Sequence, residues 1–146
     1  MSLTRRELCA LLPTIFPGTL GLDAATDDNS LPSAFFPFDA QPVSKNPNTG
    51  SIHRGVLKGK LATGESLEVH ATMLPPGGMP HPPHHHVHSE MWLIREGTLE
   101  LTVNGKTQRL GSGSVGFVRS NEEHGVKNVG DAPAHYFVVA VGPGAA

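Results

Sequence analysis

The residues most suited to chemistry lie between 81 and 90, where five histidines (His81, His84, His85, His86 and His88) precede a single carboxylate, Glu90. Imidazole nitrogens and carboxylate oxygens are ligands for divalent transition metals. His84 and His86 are separated by one residue, so in extended chain both side chains emerge on one face and can reach one ion. Glu90 opens an apolar run through Met91 and Trp92, a costly place for a carboxylate unless it is paired or bound to a metal. His124 lies well downstream and can join the first three if the chain folds back on itself. The candidate ligand set is therefore His84, His86, Glu90 and His124, holding one divalent ion drawn from Mn, Fe, Ni, Cu or Zn. A histidine run alone often decorates a loop or binds metal weakly. Spacing, carboxylate and distant histidine together make the stronger case.

The surrounding residues divide by parity. His88 lies two positions beyond His86 and is an alternative ligand or pocket residue, whereas His85 points away from the ion and His81 lies at the rim before Pro82 and Pro83. Trp92 and Ile94 share the parity of Glu90, and Trp92 suits either a pocket wall or plain core packing. Arg119, just before His124, is a candidate for a substrate carboxylate, against the ordinary expectation of a solvated turn arginine. His53 and His70 read as satisfied strand histidines.

Positioning four ligands from two distant segments calls for strands joined by tight turns. Segments of period two recur at 51–57, 66–73, 90–95, 98–103, 106–110, 114–118, 125–129 and 136–141, and they predict a barrel or jelly roll with no helix after residue 25. Leu67, Val69, Ala71 and Met73 give one apolar face. Asn104-Gly105 reads as a two-residue hairpin turn, because both positions tolerate positive φ. Residues 26–50 are rich in Asp, Asn, Ser and Pro and read as a linker or N-terminal arm with partial order. Its aromatic cluster, Phe35, Phe36 and Phe38, is expected to pack across the barrel or a neighbouring subunit. The barrel itself is assigned to residues 51–146.

Composition agrees. A chain of 146 residues with 38% hydrophobic residues supports one core, and Gly 17 with Pro 13 against 16% charged residues suits many short strands. A formal charge of -2 offers no broad positive surface for a phosphate backbone, which argues against nucleic acid as a partner. The lone cysteine, Cys9, excludes an intrachain disulfide and cysteine-based zinc sites, so a metal must be held by nitrogen and oxygen.

The run G-x5-H-x-H-x3-E-x6-G, carried by Gly78, His84, His86, Glu90 and Gly97, resembles the first motif of the cupin superfamily without a gap. A second stretch, from Gly113 through His124 to Asn128, has the spacing of the second cupin motif. It departs from that motif at Arg119, where the family has proline, and at Asn121, where it has glycine; asparagine tolerates positive φ, so the turn can survive. The resemblance covers roughly residues 50–142. It implies an all-β double-stranded β-helix, or jelly-roll, barrel with one metal, and frequently a homodimer.

The opening Thr4-Arg5-Arg6-Glu7-Leu8, a mildly apolar stretch to Leu22 and then Asp23-Ala24-Ala25 resemble a twin-arginine export signal over residues 1–25. That implies a periplasmic protein exported already folded. The alternative is an amphipathic helix or frayed tail on a cytoplasmic protein. The apolar run is too short to span a bilayer on either reading.

Two functional classes follow. An ion with three neutral ligands and one anionic ligand keeps net positive charge and can bind and polarise a small chelating or anionic substrate, so a metal-dependent dioxygenase-type oxidoreductase is the leading expectation. The motifs supply no obvious separate base beyond Glu90 or His88. The other class is a non-catalytic barrel that binds metal or a small ligand, since the cupin fold does not imply a reaction.

Overall fold

A computed structural model of the chain describes residues 29–145, so the expected export signal at 1–25 lies outside the described residues. Nine strands form among the described residues: β1 (Val43–Lys45), β2 (Ile52–Lys60), β3 (Ser66–Leu74), β4 (Ser89–Glu96), β5 (Leu99–Val103), β6 (Lys106–Leu110), β7 (Val115–Val118), β8 (His124–Asn128) and β9 (Ala134–Val141). The only helical element described is a single 3-10 turn, Phe38–Ala40. All strand pairings are antiparallel: β1-β2-β3-β9-β4-β7 make a six-stranded sheet, and β6-β5-β8 a three-stranded one. The fold is the expected all-β jelly roll.

Alternation decides what faces inward. β9 is buried at every second residue from Ala134 to Ala140. Its register therefore names the interior partners on both sides: Thr72 and Ile94 flank Tyr136, His70 and Trp92 flank Val138, and Glu68 and Glu90 flank Ala140. Trp92, Ile94, Val118, Tyr136 and Val138 from the large sheet pack against Leu99, Leu101 and Val126 from the small one. The apolar side of β3 (Leu67, Val69, Ala71, Met73) consequently faces outward, and its polar side faces the interior. The β5-β6 hairpin turns at Asn104 (φ 47°) and Gly105 (φ 76°), as the dipeptide predicts.

The stretch expected as a linker is more ordered than its composition suggests. Leu31 N donates to Lys60 O at 2.7 Å, and β1 adds an edge strand to β2, so backbone pairing recruits a segment that has no hydrophobic period of its own. The aromatic cluster splits. Phe38 lies 4.4 Å beneath the Arg54 guanidinium, while Phe35 is 99% exposed and packs against nothing among the described residues.

Candidate metal centre

The two sequence motifs run alongside each other in opposite directions. Gly77 N donates to Asn128 O at 3.0 Å, and Asn128 N to Gly78 O at 2.9 Å. Further along, His84 N donates to His124 O at 3.0 Å and His124 N to His84 O at 2.8 Å, and then Asn121 N donates to His86 O at 2.8 Å. Prolines at 80, 82 and 83 lack the N–H that would continue a regular ladder, so the pairing is confined to these points. One of those prolines explains Gly125: a Cβ there would come within 3.1 Å of the Pro83 ring. Backbone pairing thus brings the distant His124 beside His84, and the loop that carries Asn121 closes over His86. Asn121 adopts φ 63°, so asparagine fills the left-handed position that the second motif usually gives to glycine.

His84, His86 and His124 present ring nitrogens within 4.8 Å of one another. Glu90 spans two of them, with Oε1 at 3.3 Å from His86 Nε2 and Oε2 at 3.7 Å from His124 Nε2. The rings are aimed from behind. His86 Nδ1 lies 2.9 Å from His88 O and His124 Nδ1 lies 2.8 Å from Glu122 O, contacts that put the proton on Nδ1 and leave Nε2 as the lone-pair nitrogen. His84 Nδ1, His86 Nε2 and His124 Nε2 are buried with no hydrogen-bond partner among the described residues. Buried polar atoms are normally satisfied, so three orphaned nitrogens pointing together fit a bound cation. Burial, followed by His81, His124 and His86, holds the His84 pKa down to about 4, so its ring is neutral and able to ligate at neutral pH.

The remaining candidates fall in different places. His88 stacks on His86 with centroids 3.6 Å apart and sets its Nε2 3.4 Å from Glu90 Oε1, forming a second group of His86, His88 and Glu90. Burial, then the neighbouring His86, lowers its pKa. A cavity of about 200 Å³ opens beside the ligand group, bounded by Glu90, Trp92 and His124 on one side and by His53, His70 and Thr72 on the other. Trp92 serves both expected roles: it is 3% exposed within the core, and its ring meets His124 at 5.4 Å while lining the cavity. Arg119 and His88 are not among the cavity's lining residues. Arg119 is largely exposed and pairs with Glu122 at 3.3 Å, a turn arginine rather than a wall of the cavity. A second cavity, of about 180 Å³ between Phe38, Arg54, Arg95 and His135, lies on the outward face of the large sheet and holds none of the proposed ligands.

Sequence reasoning missed His53 and His70. Their rings lie 4.2 Å apart at the cavity wall, and the buried His70 Nδ1 has Glu68 Oε1 3.4 Å away, a long contact that an imidazole proton on Nδ1 would favour. The signal was present in β3, where Glu68, His70 and Thr72 alternate with an apolar face; the register with β9 turns that polar face inward.

The description "Cupin domain" matches residues 70–140. No curated protein matches the chain. Among solved structures, an RmlC-like cupin from Shewanella frigidimarina shares 18% identity, covering 77% of this chain and 94% of its own with a TM-score of 0.62. A predicted oxalate decarboxylase from Thermotoga maritima shares 19% identity over 75% of this chain and 99% of its own, with a TM-score of 0.63. The polyketide cyclase RemF from Streptomyces resistomycificus shares 19% identity over 75% of this chain and 79% of its own, with a TM-score of 0.59. At these identities the likeness is one of fold.

Proposed function

We propose that this chain, whose residues 70–140 match a cupin-domain family model, is a metal-binding barrel that holds one divalent ion through His84, His86, Glu90 and His124 and binds a small chelating or anionic substrate in the adjoining cavity. The observation that carries this reading is the set of orphaned nitrogens on His84, His86 and His124, gathered around the one carboxylate that reaches two of the rings. Three neutral imidazoles and one carboxylate suit Mn, Fe, Ni, Cu or Zn, and when bound such an ion supplies a Lewis acid for an anionic ligand. We assign the reaction class as dioxygenase-type oxidation, because this donor set accepts redox-active ions and leaves room beside them for a second ligand.

The chain's own residues do the rest. Glu90 supplies the one negative charge, so the filled site stays cationic and attracts anions. His88 and Glu122 fix the tautomers of His86 and His124 through their backbone carbonyls. Trp92, Val126 and Val138 give the cavity an apolar wall that excludes water from the ligand. No helix among the described residues is long and apolar enough to cross a membrane.

Elemental analysis of the purified full chain, beside a His84→Ala/His124→Ala double variant, tests the site. About one Fe, Mn, Ni or Cu per chain, lost in the variant, is expected. Oxygen uptake with small enol, diol or aromatic acids then tests the reaction class. No metal after reloading with each ion in turn would refute the site. Zinc alone, with no oxygen uptake by the other metal forms, would refute the oxidative reading and leave a binding barrel.

A further inference from the structure

Across the cavity from the ligand group, His53 of β2 and His70 of β3 line the wall, and a chain of ionisable residues runs from them out to the exposed Lys58 of β2. Lys58 Nζ lies 3.1 Å from Glu68 Oε2, Glu68 Oε1 lies 3.4 Å from His70 Nδ1, and the His70 ring lies 4.2 Å from that of His53. β3 and β4 flank β9, so the rows that carry His70 and Glu90 start about 10 Å apart. The residues between them on β9, Val138 and Ala140, are small enough to leave that space open. Glu90 and His124, two of the four candidate ligands, line the same cavity as His70, so a molecule held at that group can reach His70 through it.

Glu68 decides which nitrogen His70 offers. A carboxylate beside Nδ1 draws the proton to that nitrogen and leaves the Nε2 lone pair free, the arrangement that a carboxylate imposes on any imidazole it orients. Among the described residues no hydrogen bond engages Nε2. Burial, then the adjacent His53, holds the His70 pKa down to about 4, so the ring is an uncharged acceptor at neutral pH.

Building on the metal-binding reading above, we propose that His70, oriented by Glu68, accepts a hydrogen bond from a hydroxyl of the bound ligand, and that the cavity selects small hydroxycarboxylates. The carboxylate end of such a molecule suits the cationic ligand group, and its hydroxyl suits the Nε2 acceptor of His70. The cavity, at about 200 Å³, lies below the usual size for drug-sized ligands and restricts the class to molecules of a few carbons. A ligand with a carbonyl in place of the hydroxyl would set an oxygen against the Nε2 lone pair and gain no hydrogen bond there.

Calorimetric titration of the zinc-loaded full chain with lactate and with pyruvate tests this. Lactate is expected to bind about 5–10-fold more tightly than pyruvate, the range of one hydrogen bond to a buried neutral group. His70→Phe keeps a ring against His53 but removes the acceptor, and it should abolish the preference while zinc content stays at about one per chain. Glu68→Gln alters a half-exposed side chain, and it should weaken the preference and shift the His70 imidazole 15N resonances away from the Nδ1–H tautomer. Equal affinities for the two acids in the zinc-loaded protein, no binding of either, or a preference that survives in His70→Phe would overturn the role of His70 and leave the metal site standing. Failure to take up zinc or any other divalent ion would overturn both.

Discussion

Asn128 closes the second motif, yet it is not among the candidate ligands. It is fully buried, and its side chain makes three hydrogen bonds: Nδ2 donates to Leu74 O at 3.0 Å and to Ala132 O at 2.8 Å, and Oδ1 accepts from Gly130 N at 3.0 Å. These tie the end of β3 and the turn before β9 to the end of β8. Asn128→Ala removes all three and leaves two carbonyls and an N–H facing a small void. At about 1 kcal/mol net per bond, with more for each group that stays dry, the cost comes to about 3–5 kcal/mol. That is a large share of the roughly 5–15 kcal/mol that stabilises a domain. Asn128→Asp separates hydrogen bonding from volume: it fills the same space and keeps the acceptor for Gly130, but sets a carboxylate against two carbonyl oxygens. It should therefore be at least as damaging as alanine. Urea unfolding followed by the fluorescence of Trp92, the only tryptophan, reads both values. A cost below about 1 kcal/mol for Asn128→Ala, or a clearly milder Asn128→Asp, would refute the reasoning. Metal content should be unchanged in whatever fraction stays folded, because the residue works through the backbone.

Other outcomes follow from the same geometry. Gly97 sits at φ 85°, where an added Cβ would meet Ala134 Cα at 2.7 Å, so Gly97→Ala should lower stability by more than about 2 kcal/mol, read as a clear fall in melting temperature. Asn121→Ala should cost about 1 kcal/mol for its positive φ and Asn121→Gly close to nothing, both measured by urea midpoint. The metal-free protein should lose stability as pH falls from about 6.5 to about 4. His70 is held low by burial and by His53 against the opposing pull of Glu68 and Glu90, so the unfolded chain takes up its proton first. The His70 share reaches at most about 3 kcal/mol, and urea midpoints at the two pH values should converge in His70→Phe relative to the parent.

Much of the fold was legible because period-two alternation is a local property. Each of the eight expected segments corresponds to an observed strand, and Asn104-Gly105 forms its hairpin turn. What alternation does not reveal is which face of a strand is the inside. In β3 an apolar side, Leu67 to Met73, and a polar side, Glu68 to Thr72, compete, and the usual rule would bury the first. Only the pairing with β9, whose buried residues are Tyr136, Val138 and Ala140, sends Glu68, His70 and Thr72 inward, and such pairing is long-range. β1 was invisible for the same kind of reason. Val43–Lys45 has no exposed-to-buried period, and it is a strand because β2 offers an unpaired edge. Arg119 was misleading in the other direction. Its place next to the ligand loop is real, but a turn side chain with Glu122 three residues away satisfies its charge locally.

The inversion in β3 links the fold to the function it supports. A cavity lined with apolar side chains alone would close up on itself or stay dry, whereas a strand that turns Glu68, His70 and Thr72 toward the interior keeps polar groups there that require partners. The cost is borne by apolar residues elsewhere in the same layer: Trp92, Ile94 and Val138 pack beneath the site, and the outward side of the sheet leaves Leu93, Val115 and Phe117 at least 40% exposed. Polar groups buried inside and apolar groups left outside are both departures from ordinary core patterning. Both lie on the one sheet that carries Glu90, and departures of this kind are expected where a structure has been shaped around a ligand rather than around its own stability.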